Sequence, residues 1–90
     1  MKQQIVREEV AGQVYEYKPL GKYVVSAPKI CRGRPTFKYT RIEVAGVLEW
    51  LAAGHSIEKL LANYQGRLSL SAIKEAAQLA GKALARQATV

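Results

Sequence analysis

The hydrophobic pattern of this chain changes period near residue 40, and that change limits its fold more than any other feature. Before it, aromatic and β-branched residues alternate between turn residues; after it, apolar residues recur at helical spacing. The front segment VYEYKPLGKYVV, residues 14–25, reads as a β-hairpin, with Tyr15 and Tyr17 alternating with Val14 and Glu16. Lys18-Pro19-Leu20-Gly21 fits a type I turn, which would set Tyr17 opposite Lys22 and Tyr15 opposite Val24. Residues 3–7 are expected to add a short strand. An isolated hairpin is unstable in water, so this one must pack on the helices or on another subunit.

Three helices are expected after the hairpin. The first begins near residues 40–44, where Thr40 and Glu43 have capping-box spacing. Val44, Val47, Leu48 and Leu51 form its apolar stripe and Gly54 ends it. Trp50 lies off the stripe and is read first as a core residue, anchoring a dimer or the hairpin being its other use. Ser56 caps the second helix; Ile57, Leu60, Leu61 and Tyr64 are its buried face, and Gly66 breaks it. Ser69 caps the third and longest helix, with Leu68 and Ile73 placed as a hydrophobic staple. Leu70, Ile73, Ala76, Ala77, Ala80 and Leu84 are expected to line its inward side, and the tail is expected to fray after Arg86. The fold class that follows is mainly α, a three-helix bundle preceded by a β-hairpin and an arm. It makes one domain over 1–90, divided into hairpin (1–28), arm (29–41) and bundle (42–86).

The arm carries the charge. Residues 29–41 contain five cations, Lys29, Arg32, Arg34, Lys38 and Arg41, and no acid. With a formal charge of +7 over 90 residues, the chain favours a polyanionic partner. Phe37 and Tyr39 lie among these cations and are read first as packing residues, base stacking being their other use. A core this small is thin, and a homodimer is expected as a way of burying more surface.

The residues that most chemistry needs are missing. There is no aspartate and one histidine, His55, at a helix-joining turn, which excludes a Ser-His-Asp triad. One cysteine and one histidine cannot supply the four ligands of structural zinc, and no phosphate-cradling glycine loop occurs. The seven glutamates are scattered and read as solvated surface charges. No enzyme, cofactor or metal is expected. Cys31 stands alone, reads as a packing residue and fits a reducing compartment. No apolar run is long enough to cross a bilayer and the N-terminus lacks a secretory pattern, so a cytoplasmic protein without membrane contact is expected.

The segment KICRGRPTFKYTRIEV, then GHSIEKLLANY, then RLSLSAI resembles an uncharacterised bacterial domain-of-unknown-function family, number 433, over roughly residues 24–82. The ordered set Pro28, Ile30, Cys31, Gly33, Arg34, Pro35, Thr40, Arg41, Ile42, Gly54, Ile57 and Tyr64 carries the resemblance. It implies a homeodomain-like helix-turn-helix fold, and a role like that of antitoxins encoded beside PIN-like nucleases. The chain departs from the family in having Arg32 and Tyr39 where glycines are usual, and Glu43 where proline is usual.

A helix-turn-helix would present the third helix to the major groove, with Ser71, Lys74, Glu75 and Gln78 outward. Lys74 suits phosphate or guanine and Gln78 adenine, while Glu75 would repel phosphate unless it reads a cytosine amino group. The expected nucleic-acid-binding residues are therefore Lys29, Arg32, Arg34, Lys38, Arg41, Ser71, Lys74 and Gln78, acting on duplex DNA. The alternative is a protein-binding module in which the arm neutralises an acidic partner such as a PIN-like nuclease, without direct DNA contact.

Overall fold

The computed structural model describes residues 4–88. It corrects the fold class. The chain is α+β: a four-stranded antiparallel sheet, in the order β1-β2-β3-β4, packs against three helices. The strands are β1 (Val6–Val10), β2 (Gln13–Pro19), β3 (Val24–Ser26) and β4 (Thr36–Phe37). The helices are α1 (Val44–Ala52), α2 (Ile57–Tyr64) and α3 (Leu70–Ala88).

Two local features make a sheet out of the expected hairpin. Ala11 and Gly12 both take positive φ, 52° and 79°, and join β1 to β2 as a two-residue turn whose twist suits a hairpin. The extra strand therefore lies at Val6–Val10 rather than 3–7, and residue 3 is outside the described residues. In the same way the arm is not a free extension. Thr36 and Phe37 pair with Val25 and Val24, which makes part of the arm an edge strand.

The turn at 18–21 is also corrected. Tyr17 faces Val6 and Tyr15 faces Glu8, both on β1, while only Lys18 and Pro19 pair with Ser26 and Val25 of β3. The β2–β3 loop spans residues 20–23 and is closed by Leu20 and Gly21 N–H groups donating to Val24 O. Alternation in β3 then divides the core. Val24 joins Phe37, Ile42, Val47, Leu60 and Ile73 under the helices. Val25 turns the other way, to Tyr17 and Ala27.

The helices start and stop where their punctuation puts them. Ser56 Oγ accepts Lys59 N–H and Ser69 Oγ accepts Ala72 N–H, both at 3.1 Å, satisfying N-terminal amides that have no partner within the helix. Gly54 lies just past α1 at φ 94°, a conformation glycine adopts without a Cβ penalty. The expected capping box does not form. Glu43 precedes α1 without a side-chain cap, and Thr40 Oγ1 instead closes its own turn, donating to Phe37 O and accepting from Ile42 N–H.

α3 outruns its supports. At 1.5 Å per residue its 19 residues are about 28 Å long, against about 13 Å for the nine residues of α1. Only its first half finds a core. Ala72, Ile73 and Ala76 are buried, whereas Leu70, Ala77 and Ala80 are exposed and Leu84 is 66% exposed. Core contact on α3 thus ends with the partly buried Leu79, short of the expected inward residue Leu84, and the helix continues to Ala88. Residues 89–90 of the expected fraying tail are outside the described residues. No described helix is long and apolar enough to cross a membrane.

Candidate functional site

The five cations of the arm separate into two groups. Arg34 is held: its Nε and Nη2 donate to the two carboxylate oxygens of Glu43 at 3.1 and 2.9 Å. This pairing raises the Arg34 guanidinium above its ordinary value and lowers the Glu43 carboxyl below its own. Lys38 is held as well. Its ammonium lies 5.0 Å from the centroid of Tyr17, 5.1 Å from that of Tyr39 and 4.0 Å from a Glu8 oxygen. Tyr17 first, and Tyr39 after it, keep this ammonium above its usual value. Lys29, Arg32 and Arg41 are exposed and form no ion pair among the described residues.

A tyrosine cluster fixes the arm to the β1–β2 hairpin. Glu8 accepts the Tyr17 hydroxyl, and the Tyr39 hydroxyl at 2.6 Å. These bonds pull the Glu8 carboxyl below its ordinary range, with Lys38 adding to them. Tyr39 N–H donates to Tyr15 Oη at 3.0 Å, and the Tyr15 and Tyr39 ring centroids are 5.4 Å apart. Phe37 is the packing residue expected, 2% exposed, but Tyr39 is 53% exposed at the tip of the turn between β4 and α1.

Arg67 was not among the expected site residues, yet it is central to this surface. It lines three adjoining depressions. One is shared with Arg41, Tyr64 and the start of α1. A second is shared with Lys29, Arg41, Tyr15 and Tyr39, and a third with Lys22, Lys38, Tyr39 and the first turn of α3. Its sequence signal was weak, a lone cation in the α2–α3 connection just before the Ser69 cap. The folded chain thus brings Lys22, Lys29, Lys38, Arg41 and Arg67 around Tyr39. Arg32 and Arg34 line none of the three depressions, while Glu43, the partner of Arg34, lines the one at the start of α1.

On α3, Ser71, Lys74 and Gln78 are exposed as expected, and they share one face of the helix with Lys82. Glu75 is not outward. Its carboxylate accepts the backbone N–H groups of Lys22, Tyr23 and Val24 at 2.8, 2.7 and 3.0 Å. The reading of all seven glutamates as solvated charges therefore fails at Glu75, which binds the β2–β3 loop. It also fails at Glu8, Glu16 and Glu43, each engaged by a tyrosine or an arginine. His55 stacks on Trp50 with centroids 4.2 Å apart, and the half-buried Trp50 packs against the main core. Cys31 is half-buried, with Sγ 3.7 Å from Arg41 O.

This architecture defines a small α+β protein with a cationic face assembled from an arm, a helix connection and the start of a helix. The family described as protein of unknown function (DUF433) matches residues 24–80, more than half of the chain, and the chain belongs to that family. No curated protein and no solved structure matches it. The segment of β1 and β2 precedes the matched region.

The three departures from the family pattern each have a physical account. Arg32 and Tyr39, at the two positions where the resemblance leads one to expect glycine, take φ of 56° and 66°, a conformation that suits glycine. At Tyr39 the hydroxyl bond to Glu8 and the amide bond to Tyr15 oppose that strain. Glu43 has φ −74°, which a proline ring also adopts, and its carboxylate pairs with Arg34 instead.

Proposed function

We propose that this protein is a non-enzymatic, cytoplasmic nucleic-acid-binding protein, in which the face around Arg67 grips phosphates and the exposed side of α3 lies along duplex DNA. The observation that carries the reading is the combination of cations that have no ion-pair partner among the described residues with a withdrawn acid. Lys29, Arg41 and Arg67 line one depression, while Glu75, the carboxylate that would repel phosphate from α3, is held by three backbone amides. Lys74, Lys82 and Arg86 then leave α3 with a purely cationic exposed side. Ser71 and Gln78 supply hydrogen-bonding groups toward base edges. Glutamates engaged by tyrosines, arginines or amides support a binding role over acid–base catalysis.

A salt titration on a 20-bp duplex tests the reading. Log affinity is expected to fall linearly with log salt, with a slope of about −0.9 per phosphate neutralised. Absence of binding at low ionic strength overturns it.

A second, antitoxin-like reading has its own support. Residues 80–88 of α3 are all exposed, Leu84 by 66%, which suits a helix that docks on a protein such as an acidic PIN-like nuclease. Co-expression with the product of an adjacent nuclease frame, followed by size-exclusion chromatography, tests it. A stable complex that Leu84→Glu disrupts is expected, and separate elution removes this reading.

A further inference from the structure

The hollow between the β1–β2 hairpin and the arm differs from the rest of the cationic face. Its volume is about 550 Å³, within the range of about 300–1,000 Å³ common to small-ligand sites. Lys29, Arg41 and Arg67 line it, and the carboxylate on its rim, Glu16, is occupied by Arg7 Nε at 2.6 Å. Apart from Gln13 and Thr40, its remaining walls are apolar and aromatic. Of the large hydrophobic residues that folding leaves exposed, Val10, Val14 and Tyr39 all lie here, Val14 at 70% and Tyr39 at 53% exposure.

The backbone at Tyr39 points the same way. A bulky residue with φ 66° is strained, and such strain concentrates where a side chain must be presented. The Tyr39 hydroxyl is tied to Glu8 and its amide to Tyr15, so the ring is fixed, while more than half of the residue faces solvent. A flat, rigid aromatic wall beside cations that have no ion-pair partner among the described residues suits a ligand with a planar apolar body and an attached anion.

We propose that this hollow holds an unpaired nucleotide, its base against Tyr39 and Val14 and its phosphate among Lys29, Arg41 and Arg67, so that single-stranded nucleic acid binds more tightly than duplex. This rests on the nucleic-acid-binding reading above and specifies which form of the polymer this part of the face selects. A paired base has no free face to offer such a wall, whereas any unpaired base does, so the preference is for strandedness and not for sequence.

Fluorescence anisotropy with a labelled (dT)12 strand and a 12-bp duplex at equal salt tests the inference. The single strand is expected to bind more tightly. Tyr39→Gly, which removes the ring and also relaxes the strained backbone, is expected to weaken (dT)12 by about ten-fold while changing duplex affinity by less than about two-fold. Tyr39→Phe, which keeps the ring and the amide bond to Tyr15 but not the hydroxyl bond to Glu8, should retain most of the single-strand affinity. Val14→Glu, at a position too exposed to endanger folding, should weaken (dT)12 more than duplex. Equal effects on both probes, or none on either, overturn the inference and leave the broader reading intact. Binding of neither probe removes both. Binding of a poly-glutamate peptide of equal charge as tightly as (dT)12 overturns the nucleotide assignment in favour of an acidic protein segment.

Discussion

Glu75 of α3 accepts the backbone N–H of Tyr23 at 2.7 Å across 52 residues of chain, and with the amides of Lys22 and Val24 it fastens the longest helix to the β2–β3 loop. Glu75→Ala strips three amides of a charged acceptor and is expected to destabilise the fold by about 2–3 kcal/mol, measured by urea denaturation. Gly21 belongs to the same device, since a Cβ there would lie 2.5 Å from Glu75 Oε1. Gly21→Ala should therefore destabilise the wild type but add little to Glu75→Ala. Additive losses in that double-mutant cycle would show that the two positions are uncoupled.

Arg32 offers the opposite sign. It is exposed at φ 56°, where its Cβ is strained and its guanidinium has no ion-pair partner among the described residues. Arg32→Gly relieves the strain but frees the unfolded chain, and the balance is a stabilisation of about 0.5–1 kcal/mol. Thermal unfolding should show a higher Tm. An unchanged or lower Tm would mean that the arginine side chain makes a stabilising contact of its own.

Acid stability should depend on Glu8. The hydroxyls of Tyr17 and Tyr39, with Lys38, hold its folded-state carboxyl below the ordinary value of 4.5. Because the folded value is the lower one, this stabilisation is fully present above about pH 4.5 and is lost as pH falls through the folded value. Glu8→Gln should be less stable than wild type at pH 7, and the gap between their urea midpoints should narrow by pH 3. A gap that is the same at both pH values contradicts the assignment.

The helices were legible because their signals are local. Ser56 and Ser69 cap within three residues, and Gly54 and Gly66 take the positive φ that ends a helix. The sheet was not, because β3 and β4 have three and two residues, too few for a period to show. Their partners are also distant: β3 is held from α3 by Glu75, and β4 is turned back by Phe37 N–H donating to Ile42 O. The spacing of Ala77, Ala80 and Leu84 gave a true amphipathic face, but α1 and α2 are too short to reach it. At the site, charge was visible and its neutralisation was not. Lys38 meets Glu8 only because the Ala11–Gly12 turn brings β1 back along β2, and Arg67 joins the arm only through the α2–α3 connection.

That division among the cations gives the most discriminating expectation. Arg41 and Arg67 line the shared depressions with no ion pair among the described residues, whereas Arg34 already spends its guanidinium on Glu43. If phosphates bind around Arg67, Arg41→Ala and Arg67→Ala should each reduce the salt slope of nucleic-acid binding by about 0.9. The charge-neutral double variant Arg34→Ala/Glu43→Ala should leave the slope unchanged. Glu43 lines one of these depressions, but it leaves together with the guanidinium that neutralises it, so no cation available to phosphate is lost and the net charge is kept. Exposed ion pairs add little stability, so this variant should also fold normally. A slope that falls equally in all three variants would place the phosphate contacts along the whole arm and remove the special role assigned to the Arg67 face.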